Sequence, residues 1–225
     1  MSIYRKHYIL SEILMLSDKH RVSVNELSKI TGISQSYIYN FLKTFKNIVL
    51  DKGYIYITDK SGLVIEAWMK GLNITEIALR TGWKDLEKLC SVIMKRFGYR
   101  TYRNFRFKYS GKNREIDVLA LSEPIILLGD CKLWRRARVY QLKVAAKLQK
   151  DRARLFSEAL HHSNLVKNLV KDWKYAKIYP MIITVLKSSL KIYGGVPVIP
   201  LVNLKGFLLE LEKFDELLDY EVVET

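Results

Sequence analysis

Apolar positions recur with helical spacing through the first quarter of the chain. Ile3, Ile9, Leu10, Ile13, Leu14 and Leu16 give one face to a helix over about residues 3–17. Ser23-Val24-Asn25-Glu26 is a Ser-x-x-Glu capping box, in which hydroxyl and carboxylate satisfy backbone N–H groups that a first helical turn leaves unpaired. Leu27 and Ile30 bury the helix that follows, and Gly32 stops it. Ser34 starts a third helix through about Phe45, with Ile38, Phe41, Leu42 and Phe45 turned inward. The period then changes from helix to strand. Ile48-Val49-Leu50, the turn Asp51-Lys52-Gly53 and the alternating Tyr54-Ile55-Tyr56-Ile57-Thr58 predict a hairpin.

Asp59-Lys60-Ser61-Gly62 reads as a boundary, followed by a helix from about Leu63 to Lys70. The segment Glu76-Ile77-Ala78-Leu79-Arg80-Thr81-Gly82 echoes Glu26 to Gly32, but it reads better as a linker helix than as a second helix-turn-helix. A longer helix runs from Trp83 to about Phe97, with Leu86, Leu89, Cys90, Ile93 and Met94 as its core side and Glu87 upon it. Residues 100–109 alternate basic or polar with aromatic, as a solvated strand does. Two apolar strands follow, the first around Ile116-Asp117-Val118-Leu119-Ala120-Leu121. The second is Ile125-Ile126-Leu127-Leu128, which ends in Gly129-Asp130-Cys131-Lys132. The pattern then predicts a basic helix over about 135–160, a helical stretch over 163–175 and strands at 181–186 and 196–201. An amphipathic helix closes it over 204–218.

Charge sharpens this division. The 225 residues carry a net +15, which makes a polyanion the first partner to expect. Residues 1–70 account for +4, residues 71–180 for +14 and residues 181–225 for −3, so the excess sits around the two acid-bearing strands. Two cysteines, Cys90 and Cys131, are too few for a disulfide framework or a zinc set. No signal peptide opens the chain and no run approaches the ~18 apolar residues of a membrane span. A cytoplasmic protein with no membrane partner is therefore expected.

The chemistry concentrates at residues 113–134. Residues two apart on a strand share a face, so Asp130 and Lys132 point the same way. If the two strands pair as a hairpin, Asp117 reaches the same spot. Two carboxylates and an ammonium on one sheet face are costly unless they bind something, and a divalent cation with a phosphate would satisfy all three. The bland reading is a cross-strand ion pair worth about 0.2–1 kcal/mol. Glu115 either joins the site or pairs with Arg114. Asp172-Trp173-Lys174 repeats the acid-x-Lys pattern but falls in helical periodicity with no apolar strand before it. His161 and His162 match no metal-ligand spacing. Lys143, Lys147, Lys150 and Arg154 recur at helical spacing after Arg135, Arg136 and Arg138. Like charges one turn apart weaken a helix by about 0.2–0.5 kcal/mol per pair, and an anion alongside would reverse that.

Two short helices joined by a glycine turn, a third before them and a hairpin after them resemble a winged helix domain. Its third helix would present Gln35, Ser36, Tyr39, Asn40 and Lys43 to DNA. The later order is also telling: a helix with Glu, Gly-Tyr, a basic strand, Glu-Ile-Asp-Val, an apolar strand, acid-x-Lys and a basic helix. It resembles the PD-(D/E)xK nuclease superfamily, nearest the Mrr-type endonucleases and Holliday junction resolvases. The resemblance covers about residues 83–200. It implies a two-domain α+β or α/β protein: a winged helix over 1–62, linker helices over 63–82, and over 83–225 a restriction-endonuclease-like mixed sheet flanked by helices. It further implies that Asp117, Asp130 and Glu87 hold Mg²⁺ or Mn²⁺, and that Lys132 is the catalytic lysine. Gln141 or Gln149 would fill the place many members give to a glutamine on the following helix. The expected activity is endonucleolytic hydrolysis of double-stranded or branched DNA, commonly by a homodimer. A non-catalytic DNA-binding protein on the same scaffold and a junction-selective resolvase are the alternatives.

Overall fold

The computed structural model describes residues 3–17, 21–73, 75, 77, 84–134 and 138–224. The chain divides into two units, residues 1–85 and 86–225, together a mixed α+β protein.

In the first unit, helices α1 (Ile3–Leu16), α2 (Val24–Thr31) and α3 (Gln35–Leu42) enclose buried Ile9, Leu10, Ile13, Leu27, Ile38 and Leu42. The Ser23 hydroxyl caps α2 by accepting the Glu26 N–H at 3.0 Å. Gly32 ends α2 at φ 67°, a left-handed conformation that costs glycine nothing, and donates its N–H to the Ser28 carbonyl. Strands β1 (Val22–Ser23), β2 (Ile48–Asp51) and β3 (Tyr54–Ile57) form an antiparallel sheet in the order β1-β3-β2. The hairpin follows the sequence pattern, whereas β1, at two residues, is too short to carry a period. Helix α4 (Lys60–Met69) starts at its cap Asp59, ahead of the expected Leu63. Its Glu66 carboxylate accepts the Lys46 N–H at 3.0 Å and so ties α4 to the turn between α3 and β2.

The second unit opens within α5 (Lys84–Arg96) and is built on a mixed sheet. Strands β4 (Arg100–Tyr109), β5 (Lys112–Ser122) and β6 (Ile125–Lys132) form an antiparallel meander. Helix α6 (Val139–His162) carries the chain to β7 (Tyr175–Thr184), which runs parallel to β6. Strand β9 (Val196–Pro200) runs parallel to β7, and β8 (Ile192–Tyr193) is antiparallel to β9. Strand β10 (Glu221–Glu224) pairs antiparallel with β7. Ala153, Phe156 and Leu160 of α6 pack on Leu119, Leu121, Ile126, Leu128 and Ile178 of the sheet. Nearer its start, Leu142 and Ala146 pack on Ile182 and Val198. Cys131, which alternates away from Asp130 and Lys132, meets Cys90 of α5, and Ser91 of α5 shares a 2.8 Å hydrogen bond with Thr101 of β4.

Three expectations give way here. The helical stretch over 163–175 is only α7 (Asn164–Lys167) followed by turns, so Asp172 to Lys174 lie in a turn. The strand expected at Met181 begins at Tyr175. Pro180 hid its first half, but Pro180 falls between the β10 pairing, which ends at Ile178, and the β9 pairing, which begins at Ile182. The closing helix is α8 (Leu204–Glu210) and then a 3₁₀ turn over Leu211–Phe214.

Candidate active site at the mouth of β5 and β6

The β5–β6 ladder ends at Val118 opposite Gly129. One residue further out stand Asp117 and Asp130, where the strands part while β6 continues along β7 as far as Lys132. Past the last pair, the Cys131 N–H donates to Oδ2 of Asp117 at 2.8 Å. Gly129 permits the close approach just behind the site, because a Cβ there would lie 3.3 Å from both Ile183 Cδ1 and the Val118 carbonyl oxygen.

A local irregularity aims Asp117. Tyr102, Leu119 and Leu121 belong to the same apolar cluster as Phe105, Phe107 and Ile116, although strict alternation would put the two sets on opposite faces. The alternation breaks at Asn104, with φ 50°, and at Asp117, the pair missing from an otherwise continuous β4–β5 register.

Asp130 is 5% exposed. Lys132 donates to its Oδ1 at 3.0 Å and lies 2.9 Å from its Oδ2, so the shared face expected of the acid-x-Lys pattern is present. On the other side, the Arg152 guanidinium of α6 stands 3.7 Å from Oδ1. Arg152 donates in turn to the Gln149 side chain, and Gln149, fully buried, donates to the Leu128 carbonyl at 2.6 Å. Of the two candidate glutamines, Gln149 thus reaches the site through Arg152. Gln141 sits at the start of α6 and accepts the Arg138 N–H at 3.3 Å. Sequence reasoning missed Arg152; the signal was its spacing of three from Gln149, which puts both on one side of the helix.

The electrostatics separate the acids. Burial pushes the Asp117 carboxyl above the ordinary carboxylate range, and the like charge of Asp130 adds to that, while the Cys131 N–H, Lys132 and Arg152 oppose it. Glu87, half-buried on α5, is also pushed up, first by burial and then by Asp117. Asp117 thus feels Asp130 from β6, and Glu87 feels Asp117 from α5. Glu115 adds to the push on Glu87 and does not pair with Arg114: its carboxylate accepts from Arg106, opposite on β4, at 2.6 Å.

Among the described residues no group of three or more His, Cys, Asp or Glu side chains could by itself hold a metal ion. The donors fit a different arrangement. Mg²⁺ keeps several waters and is commonly held by one or two carboxylates together with substrate phosphate oxygens. Asp117 and Asp130 supply two carboxylates, and Asp117 has no ion pair among the described residues.

The residues expected to meet DNA divide. Gln35, Ser36, Tyr39, Asn40 and Lys43 are all exposed on or just after α3, and Gln35 donates to Asn25 at 3.1 Å. Arg135 and Arg136 lie outside the described residues. Lys143 stands 5.3 Å from the Tyr193 ring centre and Lys147 is exposed. Lys150 is paired with Asp219, and Arg154 lies 3.6 Å from Glu158, so the basic row is partly neutralised by its neighbours. No helix among the described residues is long and apolar enough to cross a membrane.

No protein family and no curated protein matches the chain. Among solved structures the chain is similar to protein VC1899 from Vibrio cholerae, at 14% identity and a TM-score of 0.42 over 96% of this chain and 51% of that one. The chain thus spans about half the length of that protein, and a likeness at that score is too loose to assign fold or function.

Proposed function

We propose that the second unit is a metal-dependent endonuclease of the restriction-endonuclease-like fold and that the first is a winged helix that holds it on DNA. The observation that carries this reading is the pair Asp117 and Asp130 at the strand mouth, with Lys132 bonded to one carboxylate and the other left without a cation. A phosphodiester repels hydroxide, so hydrolysis needs the anion neutralised and a water oriented. Asp117 and Asp130 would hold Mg²⁺ or Mn²⁺, which would supply Lewis acidity toward the phosphate, while Glu87 adds negative charge felt with Asp117. Lys132 orients the attacking water or stabilises charge on the phosphoryl oxygens. Arg152, held by Gln149, adds a second fixed cation beside Asp130. The buried Gln149–Leu128 bond keeps that cation in place without ordering at the moment of reaction.

In the first unit, α2, the Gly32 turn and α3 followed by the β2–β3 hairpin support the winged helix reading. Its α3 would present Gln35, Ser36, Tyr39 and Asn40 to base edges or phosphates.

The test is nicking of supercoiled plasmid with Mg²⁺ or Mn²⁺ against EDTA. Metal-dependent cutting by the wild type, lost in Asp130→Ala and Lys132→Ala, is the expected result. A wild type that retains DNA and cuts in neither metal would contradict it.

A further inference from the structure

The exposed side of α6 is not uniformly polar. Gln141 and Arg152 mark the edge that borders the site, and Lys143, Lys147 and Arg154 form a basic edge further round the helix. Between the two edges run Tyr140, Val144 and Leu148, one turn apart, with 76%, 39% and 59% of their surfaces exposed. Asp151 closes this stripe at its far end. An apolar stripe on a helix normally faces a core, and here it faces solvent. It also forms one wall of a cavity of about 290 Å³ whose other walls are Asp130, Lys132, Trp134 and Arg152. That volume lies just below the range of ligand pockets, about 300 to 1,000 Å³, so it admits a small flat group and not a partner helix.

We infer that this stripe and cavity take up unstacked nucleobases, which makes a single-stranded segment of DNA the preferred substrate; the inference rests on the phosphodiesterase reading of the same site. A nucleobase is flat and apolar on its faces, and its phosphate lies next to it. Tyr140 and Trp134 offer rings for stacking, Val144 and Leu148 offer apolar contact, and the phosphates fall between Lys132 with Arg152 on one side and Lys143 with Lys147 on the other. An intact duplex keeps its bases inside and would lay only sugar and phosphate against the stripe. A second copy of the chain docked by two-fold symmetry would bring the Lys143 and Lys147 edges of two proteins that each carry +15 close together.

The test uses the full chain in EDTA, where nothing is cut, and reads fluorescence anisotropy of a labelled oligothymidylate against a duplex of equal length. The wild type should bind the single strand more tightly. Tyr140→Ala and Leu148→Ser, both at exposed positions, should each weaken single-strand binding about tenfold while duplex binding hardly changes. Tyr140→Phe should restore it, because the ring and not the hydroxyl stacks. Equal loss on both ligands, no loss on either, or a wild-type dimer in sedimentation that Leu148→Ser dissociates without altering single-strand binding would overturn the inference. Because binding is read without cutting, single-strand preference in a chain that nicks nothing would sink the nuclease reading instead.

Discussion

Asp215 and Asp117 both set a carboxylate against the central sheet, and their surroundings push them in opposite directions. Asp215 meets the Lys177 ammonium at 2.7 Å and the Tyr179 hydroxyl at 2.7 Å, both from β7. The bond from Lys177 holds its carboxyl below the ordinary range, and the same carboxylate helps keep the Tyr179 hydroxyl protonated. Asp117 meets one backbone N–H and a neighbouring carboxylate, and its carboxyl is pushed up by burial. The first group is complete as a structural ion pair. The second is stable as it stands only at a cost, and it would be completed by an added cation. Incomplete charge, more than charge itself, separates a candidate site from a strut.

The largest expected effect falls on the chemistry. Asp117→Asn and Lys132→Ala should each lower plasmid nicking by about 10²–10⁴-fold. Asp215→Asn should leave nicking per folded molecule unchanged. Equal losses at Asp117 and Asp215 would mean that both are structural. The reverse asymmetry is expected in stability. Asp215→Ala leaves Lys177 and Tyr179 without their shared acceptor and should cost about 1–3 kcal/mol in urea unfolding.

A smaller effect sharpens the sign. A carboxyl whose folded value stands above its unfolded value favours folding while protonated, and that contribution is lost as pH rises through the folded value. At neutral pH, Asp117→Asn should therefore raise the melting temperature of the metal-free chain by a few degrees. It should also abolish the stabilisation that Mg²⁺ gives the DNA-bound wild type. Asp215 works the other way: its contribution is present above the unfolded value and is lost as pH falls through the lowered folded value. The smallest effect is a matter of range. Protons compete with the cation at Asp117, so metal affinity should climb with pH through a window above that of ordinary carboxylates. Isothermal titration across mildly acidic pH reads this directly, and a flat profile there would contradict it.

Much of this was legible in the sequence because it rests on local patterns. The capping box at Ser23, the stop at Gly32, the apolar run Ile125 to Leu128 and the shared face of Asp130 and Lys132 all depend on periods of two or 3.6 residues. What was missed depends on distant partners. Strand β10 is four residues, Glu221–Glu224, with acids at both ends, and only its pairing with β7 makes it a strand. Spacing alone does not mark Arg152; its contacts with Gln149 and Asp130 do. Lys150 and Arg154 looked available for phosphate, but Asp219 and Glu158 lie against them. The two acid-x-Lys patterns make the same point, since Asp130 arrives on a buried strand and Asp172 lies in a turn.

The most direct measurement is a calorimetric titration of Mn²⁺ into the metal-free full chain bound to a short phosphorothioate oligonucleotide, which supplies the phosphate oxygens that complete the site. Saturable binding is expected in the wild type and in Asp215→Asn, and none in Asp117→Asn. No saturable binding in the wild type, or binding that survives Asp117→Asn, would contradict it.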